Sequence, residues 1–246
     1  MSEITEIEAT DFVRSFGRAS FPARFERLKK GYRDAQRQSR KYAPGFNIFR
    51  VLKVDRQEYK THSAFLAELP DPTGSHEQEF LFLKAFLKHC QGKYSEPLSI
   101  SGSKRPSQPF PRLEEAIEAF DWEVKTEVTA PGYGRLDIII RCEPLSFLCV
   151  IENKVGAQES EKQLQKYWGW MQTQQGKHSK QVLIFLTPGG VGSQTAGSAP
   201  YFKLSYSDDI LPWLEDALTR VEAPFVTTAI RQYMQLISGW GKKGEK

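Results

Sequence analysis

Gly134-Arg-Leu-Asp-Ile-Ile-Ile-Arg-Cys-Glu-Pro-Leu-Ser-Phe-Leu-Cys-Val-Ile-Glu-Asn-Lys-Val155 holds two apolar runs back to back, residues 136–140 and 147–151. Each is rich in β-branched residues and too short for an ordinary helix. A turn around Pro144 separates them, so the stretch predicts two neighbouring buried strands. Both runs carry charges where a buried strand should have none. Asp137 is set inside the first, and Glu152 and Lys154 close the second. Side chains alternate faces along a strand, so Glu152 and Lys154 point the same way. If the two strands pair as a hairpin, Asp137 joins them on that face.

Buried charges are costly unless they are paired or hold a metal. Two carboxylates and an ammonium on one sheet face suit a hard cation and a phosphate. Asp137 and Glu152 offer the oxygen ligands that Mg²⁺ prefers, with Mn²⁺ as a substitute. Lys154 is then placed to orient or deprotonate an attacking water, or to stabilise a charged transition state. The competing reading is a surface ion pair of small energetic weight. Glu-x-Lys occurs twice more, at Glu58-x-Lys60 and Glu123-x-Lys125. The second lies in Trp122-Glu-Val-Lys-Thr-Glu-Val-Thr129, a predicted strand of regular alternation. Glu123, Lys125 and Glu127 share one side of it, the pattern of an ordinary half-solvated strand. Only Glu152-x-Lys154 follows an apolar strand with an embedded Asp.

The rest of the chain reads as follows. Residues 5–42 predict helix in two segments broken near residues 17–22. From Arg14 to Lys41 there are ten basic residues and two acidic ones, Glu26 and Asp34. That face either contacts phosphates or is simply solvated. Residues 47–69 predict two further helices, and in the second Glu58 and His62 are four apart and share a face. Residues 77–90 predict a core helix, residues 91–111 an exposed loop with Lys104 and Arg105, and residues 113–120 a short helix. After Lys154, residues 159–171 predict a helix whose first turns overhang the charged face, with Gln163, Tyr167 and Trp170 on one side. Gln163 reads either as a ligand for water or phosphate, or as an incidental member of an aromatic packing face. Residues 181–187 and 202–206 predict strands, residues 210–221 a helix capped by Ser207, and residues 226–240 a last helix. Strands and helices alternate from 113 to 221, which argues an α/β sandwich, a mixed sheet with helices on both faces.

With 246 residues, net charge +4 and pI near 8.8, the chain has the bulk for a sizeable core and a mildly basic character that is compatible with nucleic acid without establishing it. Three cysteines in no metal-binding spacing, behind a polar, acidic N-terminus, fit a reducing cytoplasm rather than secretion. No apolar run reaches membrane-spanning length, and the expected partner is nucleic acid rather than a membrane.

Asp137, then about fifteen residues, then Glu152-x-Lys154 after an apolar strand, resembles the PD-(D/E)XK nuclease superfamily. Phe46-Asn-Ile-Phe-Arg-Val-Leu52, Glu58, His62-Ser-Ala-Phe-Leu-Ala67, Pro70-Asp-Pro72, His76 and residues 80–87 are similar to the N-terminal part of one bacterial family in it. So are Gly134-Arg-Leu-Asp137, Ile151-Glu-Asn-Lys154, Gln163-Leu-Gln-Lys-Tyr167 and Phe185-Leu-Thr-Pro188. The similarity runs from about residue 46 to about residue 235. Leu136 stands where the superfamily often has Pro, which is not a ligand.

The resemblance implies a restriction-endonuclease-like core, a mixed central β-sheet flanked by helices, in residues 112–246. An N-terminal helical subdomain, residues 1–111, would pack on it. It implies Asp137, Glu152, Lys154 and Gln163 as catalytic residues, and Asp137, Glu152, the Asn153 carbonyl and Glu58 as metal ligands. His62, Tyr167 and Arg135 are the substrate-binding candidates, with His62 orienting Glu58 or touching a phosphate. The implied activity is Mg²⁺-dependent cleavage of DNA, in restriction, repair or defence against phage, and double-strand cutters of this kind often work as homodimers. Two other readings stay open: a silent nucleic-acid-binding or assembly module of the same fold, since fold alone never guarantees activity, and a small-molecule phosphohydrolase. No Gly-rich phosphate loop is present to favour the last.

Overall fold

Five strands make one sheet in sequence order: β1 (Glu123–Ala130), β2 (Gly134–Cys142), β3 (Phe147–Asn153), β4 (Lys180–Thr187) and β5 (Phe202–Ser205). The computed structural model describes residues 20–43, 45–95, 109–113, 117–156 and 158–240. β1, β2 and β3 run antiparallel as a meander, and β4 and β5 add parallel to β3. The sheet is therefore mixed, as the alternation of elements predicts. The β1–β2 turn closes with a 2.9 Å bond from Tyr133 N–H to the Ala130 carbonyl. Gly132 and Gly134, at φ of +80° and +119°, supply the backbone that this turn needs.

β3 is buried along its whole length, as expected of a strand covered on both faces. One face of the sheet carries Ile138, Ile140, Cys149, Ile151 and Ile184. It packs against α4 (Leu81–Lys93), α6 (Leu211–Leu218) and α7 (Pro224–Ile237) through Phe82, Phe86, Trp213 and Ile230. The other face carries Ile139, Leu148, Val150 and Leu183 under α5 (Gln163–Thr173), which contributes Leu164, Tyr167 and Met171. Each such buried side chain stabilises the fold by about 1.5–3 kcal/mol, so truncating Leu148 or Val150 would loosen the floor on which the charged residues stand. By alternation Asp137 follows Ile139, and Glu152 follows Val150, onto the α5 face.

Two compact units divide the chain at residues 1–46 and 47–246. The first contains α1 (Ser20–Tyr42), which runs unbroken from Ser20. Pro22 falls in its first turn, where a missing N–H costs nothing because no intrahelical acceptor exists there. Residues 5–19 of the predicted helix lie outside the described residues, as do the acidic N-terminus, Lys104, Arg105 and the basic tail. The second unit begins well before the expected boundary at 111. The reason is packing: Leu66, Phe82, Leu83 and Leu87 belong to the same buried cluster as Ile138 and Ile151. Ahead of α4 come α2 (Ile48–Val51), a π-helical turn (Glu58–Ser63) and α3 (Ala64–Glu68). Asn47 caps α2 by accepting from Phe49 and Arg50 N–H.

The C-terminal helix entry differs from its prediction. Ser205, not Ser207, provides the cap, accepting from Asp208 N–H at 2.8 Å. Asp209 turns inward. Its buried carboxylate accepts from Ser205 N–H at 2.7 Å, from Lys93 Nζ at 2.6 Å and from His89 Nε2 at 3.0 Å. A second π-helical turn (Tyr206–Ile210) then leads into α6.

Candidate active site

The β2–β3 register pairs Ile138 with Ile151 at the end where both strands meet α5. One step outward on each strand, Asp137 stands opposite Glu152, and directly opposed residues of an antiparallel pair share a face. Asn153 N–H donates to Asp137 Oδ2 at 2.8 Å, which fixes the first carboxylate against the strand that carries the second. Glu152 is 1% exposed, and among the described residues neither of its oxygens has a hydrogen bond of proper geometry. Lys154 Nζ lies 2.8 Å from Glu152 Oε1 and 3.9 Å from Glu58 Oε2.

These groups perturb one another strongly. Burial pushes Asp137 up to about 6, against the pull of the Asn153 N–H and the Lys154 charge. Burial, reinforced by the Asp137 charge, pushes Glu152 up to about 8. Burial alone would lower Lys154, but the carboxylates of Glu152, Asp137 and Glu58 outweigh it and hold the ammonium above its usual range. Two coupled carboxylates with raised pKa values beside a firmly charged lysine are the signature of a functional cleft.

Asp137 and Lys154 open onto a cavity of about 370 Å³. Glu58 and Ser63 reach it from the π-helical turn and Arg135, Gln163 and Tyr167 from β2 and α5. Glu58 Oε1 accepts from Val155 N–H at 2.7 Å and Gly156 N–H at 2.9 Å. It thereby fastens the chain just past Lys154, and Oε2 is the oxygen on the lysine side. The expected face sharing of Glu58 and His62 is corrected. In the π-helical turn Glu58 and Ser63 line the cavity while His62 is buried in the core. His62 is 0% exposed, with Nδ1 3.0 Å from the Tyr233 hydroxyl and Nε2 3.1 Å from the Asp55 carbonyl. Both ring nitrogens are thus engaged by the protein, leaving none for Glu58 or a phosphate.

Gln163, the first residue of α5, lines the cavity, but its amide is engaged. Nε2 donates to Tyr167 Oη at 3.0 Å and Oε1 accepts from Ser160 N–H at 3.3 Å. Tyr167 is buried and donates its hydroxyl to the Arg135 carbonyl. Burial and the nearby Glu152 and Asp137 charges push its phenol far up, so it acts as a neutral donor. The Arg135 side chain is exposed and ion-paired with Glu127. Asn153 points its side chain to the opposite face of the sheet, where Nδ2 donates to Ser63 Oγ at 3.0 Å and Oδ1 accepts from Tyr206 Oη at 2.7 Å.

Glu127 is the cavity residue that the sequence reading missed. It has a φ of +55° inside β1, and the register that pairs Thr126 with Ile138 and Val128 with Leu136 sets it beside Asp137. Its charge helps raise Asp137. Glu127, Asp137 and Glu152 therefore form a row across three strands. The sequence held only a partial signal, the tight turn at residues 131–133; the observed β1–β2 register brings the polar side of β1 onto the charged face.

Among the described residues no three His, Cys, Asp or Glu side chains are gathered into a metal cage. What the site offers is a buried carboxylate, paired with Lys154, facing a second one. That donor set fits Mg²⁺, which takes one or two carboxylates and completes its shell with water and substrate phosphate oxygens.

A family model described as PD-(D/E)XK nuclease superfamily matches residues 46–235. No curated protein and no solved structure gives a match to the chain. The matched span contains every residue of the site just described and leaves α1 outside it.

Proposed function

Starting from the premise that the chain belongs to the PD-(D/E)XK nuclease superfamily, we propose that it is a divalent-metal-dependent nuclease that hydrolyses phosphodiester bonds in DNA. The observation that carries this reading is the buried Glu152 carboxylate standing opposite Asp137, two acids that share the one ammonium of Lys154, 2.8 Å from Glu152 Oε1. Lys154 balances only one of these two negative charges, so ionising both acids costs stability unless a further cation joins them.

Asp137 and Glu152 would hold the ion, with Glu58, which lines the cavity, and the Asn153 main-chain carbonyl as the further oxygens proposed. When bound, the ion supplies Lewis acidity for water and neutralises charge building on the phosphoryl oxygens. Lys154, kept cationic by its neighbours, serves as a hydrogen-bond donor to the attacking water and the scissile phosphate rather than as a base. Glu58 holds the backbone after Lys154 and so steadies its aim. Gln163 and Tyr167 shape the wall, and Arg135 meets a flanking phosphate. No described helix is long and apolar enough to cross a membrane. All three cysteines are free and buried, which supports a reducing, cytoplasmic setting.

The test is incubation of the purified protein with linear, circular and single-stranded DNA, each with Mg²⁺, Mn²⁺ or EDTA. Cutting that needs the ion and disappears in Asp137→Ala is the expected result. A protein that cuts none of these with either ion would return the chain to the silent binding module.

A further inference from the structure

Beside its carboxylates the cavity has an aromatic wall. Tyr59, the second residue of the π-helical turn, lines it and is 47% exposed. The Arg135 guanidinium carbon lies 5.9 Å from the centre of the Tyr59 ring, within cation–π range. Glu127 pairs with Arg135 from the β1 side, so the guanidinium is held over the ring. Tyr133, in the β1–β2 turn, lines the same cavity. Its ring is seated against Gly169 of α5, where an added Cβ would come within 3.1 Å of it. Neither tyrosine is needed for the cleavage chemistry described above, and a half-open ring in so polar a cavity gains little from packing.

We propose that Tyr59 and Arg135, with Tyr133 nearby, form a stacking subsite for an unpaired nucleobase next to the scissile phosphate. The protein then prefers single-stranded or frayed DNA to intact duplex. This inference rests on the nuclease reading. Phenol and guanidinium planes both stack on bases without regard to sequence. A base inside a duplex has its faces covered by its neighbours, and it meets such a wall only after leaving the stack. The cleft, of about 370 Å³, has room for at least one nucleotide. Lys166, on the same rim, offers an ammonium to the adjoining phosphate.

The experiment titrates the full chain, in EDTA so that nothing is cut, with a single-stranded oligodeoxynucleotide carrying 2-aminopurine and with the blunt duplex of the same sequence. The single strand should bind more tightly, with quenching of the aminopurine. Tyr59→Ala should weaken single-strand binding about tenfold while sparing the duplex, and Tyr59→Phe should restore it. With Mg²⁺, Tyr59→Ala should raise KM for the single strand far more than it lowers kcat. Equal affinity for the two forms, or an aminopurine signal indifferent to Tyr59→Ala, would overturn the subsite. Equal cutting of duplex and single strand would overturn it too while leaving the nuclease reading intact. Quenching without cleavage under any ion would do the reverse, and binding of neither form would end both.

Discussion

Lys154 Nζ lies 2.8 Å from Glu152 Oε1, two residues back on the same face of the chain leaving β3. The lysine is largely buried and the glutamate fully so, and the carboxylates around it hold its charge. A lysine so placed cannot readily give up its proton, so the contribution to cleavage proposed for it is electrostatic. Lys154→Ala should lower single-turnover cleavage about 10²–10³-fold, the range for removing one donor aimed at developing charge. Circular dichroism and oligonucleotide binding should show a folded protein that still holds its substrate. Near-normal turnover in that variant would remove Lys154 from the chemistry.

The acid pair makes stability depend on pH. Glu152 is pushed up to about 8 and Asp137 up to about 6, chiefly by burial, whereas unfolded carboxylates titrate near 4. Between those values the folded chain binds more protons than the unfolded one, so its stability falls as pH rises. Glu152 titrates in the window of about pH 7 to 9. There Lys154 stays charged, while the free Cys90, Cys142 and Cys149 thiols, raised by burial, add a fall of the same sign as their unfolded counterparts ionise. Glu152 itself should contribute a loss on the order of 1 kcal/mol across this window, or about 2–4 °C in Tm. Glu152→Gln should therefore shrink the fall by that amount and leave the cysteine share, and Mg²⁺ should oppose it by favouring the ionised pair. Thermal melts in EDTA at the two ends of the window, for wild type and variant, decide it.

Much of this was legible before any coordinates. Leu136 to Ile140 and Phe147 to Ile151 have the β-branched density of buried strands, Asp137 lies inside the first and Glu152 ends the second, and the hairpin pairing that the pattern suggested sets the two acids on one face. What was not legible depends on backbone geometry that composition hardly constrains. Glu58 and His62 look like an i, i+4 pair, but the π-helical turn sends one to the cavity and the other to Tyr233. Glu127 looks like an outward strand residue, but the row of acids became visible only once the β1–β2 register was known. Helical pattern does not say which sheet a helix covers, and Phe82 and Phe86 cover this one.

Tyr206 offers a test of the support beneath the site. Its hydroxyl donates to Asn153 Oδ1 at 2.7 Å, and Asn153 holds Ser63 through its side chain and Asp137 through its N–H. Both Tyr206 and Asn153 are fully buried. Tyr206→Phe leaves the Asn153 carbonyl oxygen without that donor, which costs about 1–3 kcal/mol. Tm should drop by several degrees, and kcat by less than the loss in Lys154→Ala, because Asp137 keeps its backbone bond. A variant as stable as wild type would mean that this buried network contributes nothing.

Arg33, Arg37 and Arg40 recur at four- and three-residue spacing and so share one side of α1. In all, eight Lys and Arg stand against two acids between residues 24 and 41. Such a side either tracks a phosphate backbone or is solvated, and the two differ in salt dependence. Each phosphate neutralised contributes about 0.9 to the slope of log affinity against log salt on duplex DNA. If the stripe binds, replacing all three arginines by Gln should flatten the slope by up to about 3. α1 lies outside the family match and in its own unit. Cleavage of a short oligonucleotide at low salt should therefore survive the triple substitution. An unchanged slope would assign the stripe to solvent, and loss of cleavage on the short oligonucleotide would mean that α1 takes part in the site itself.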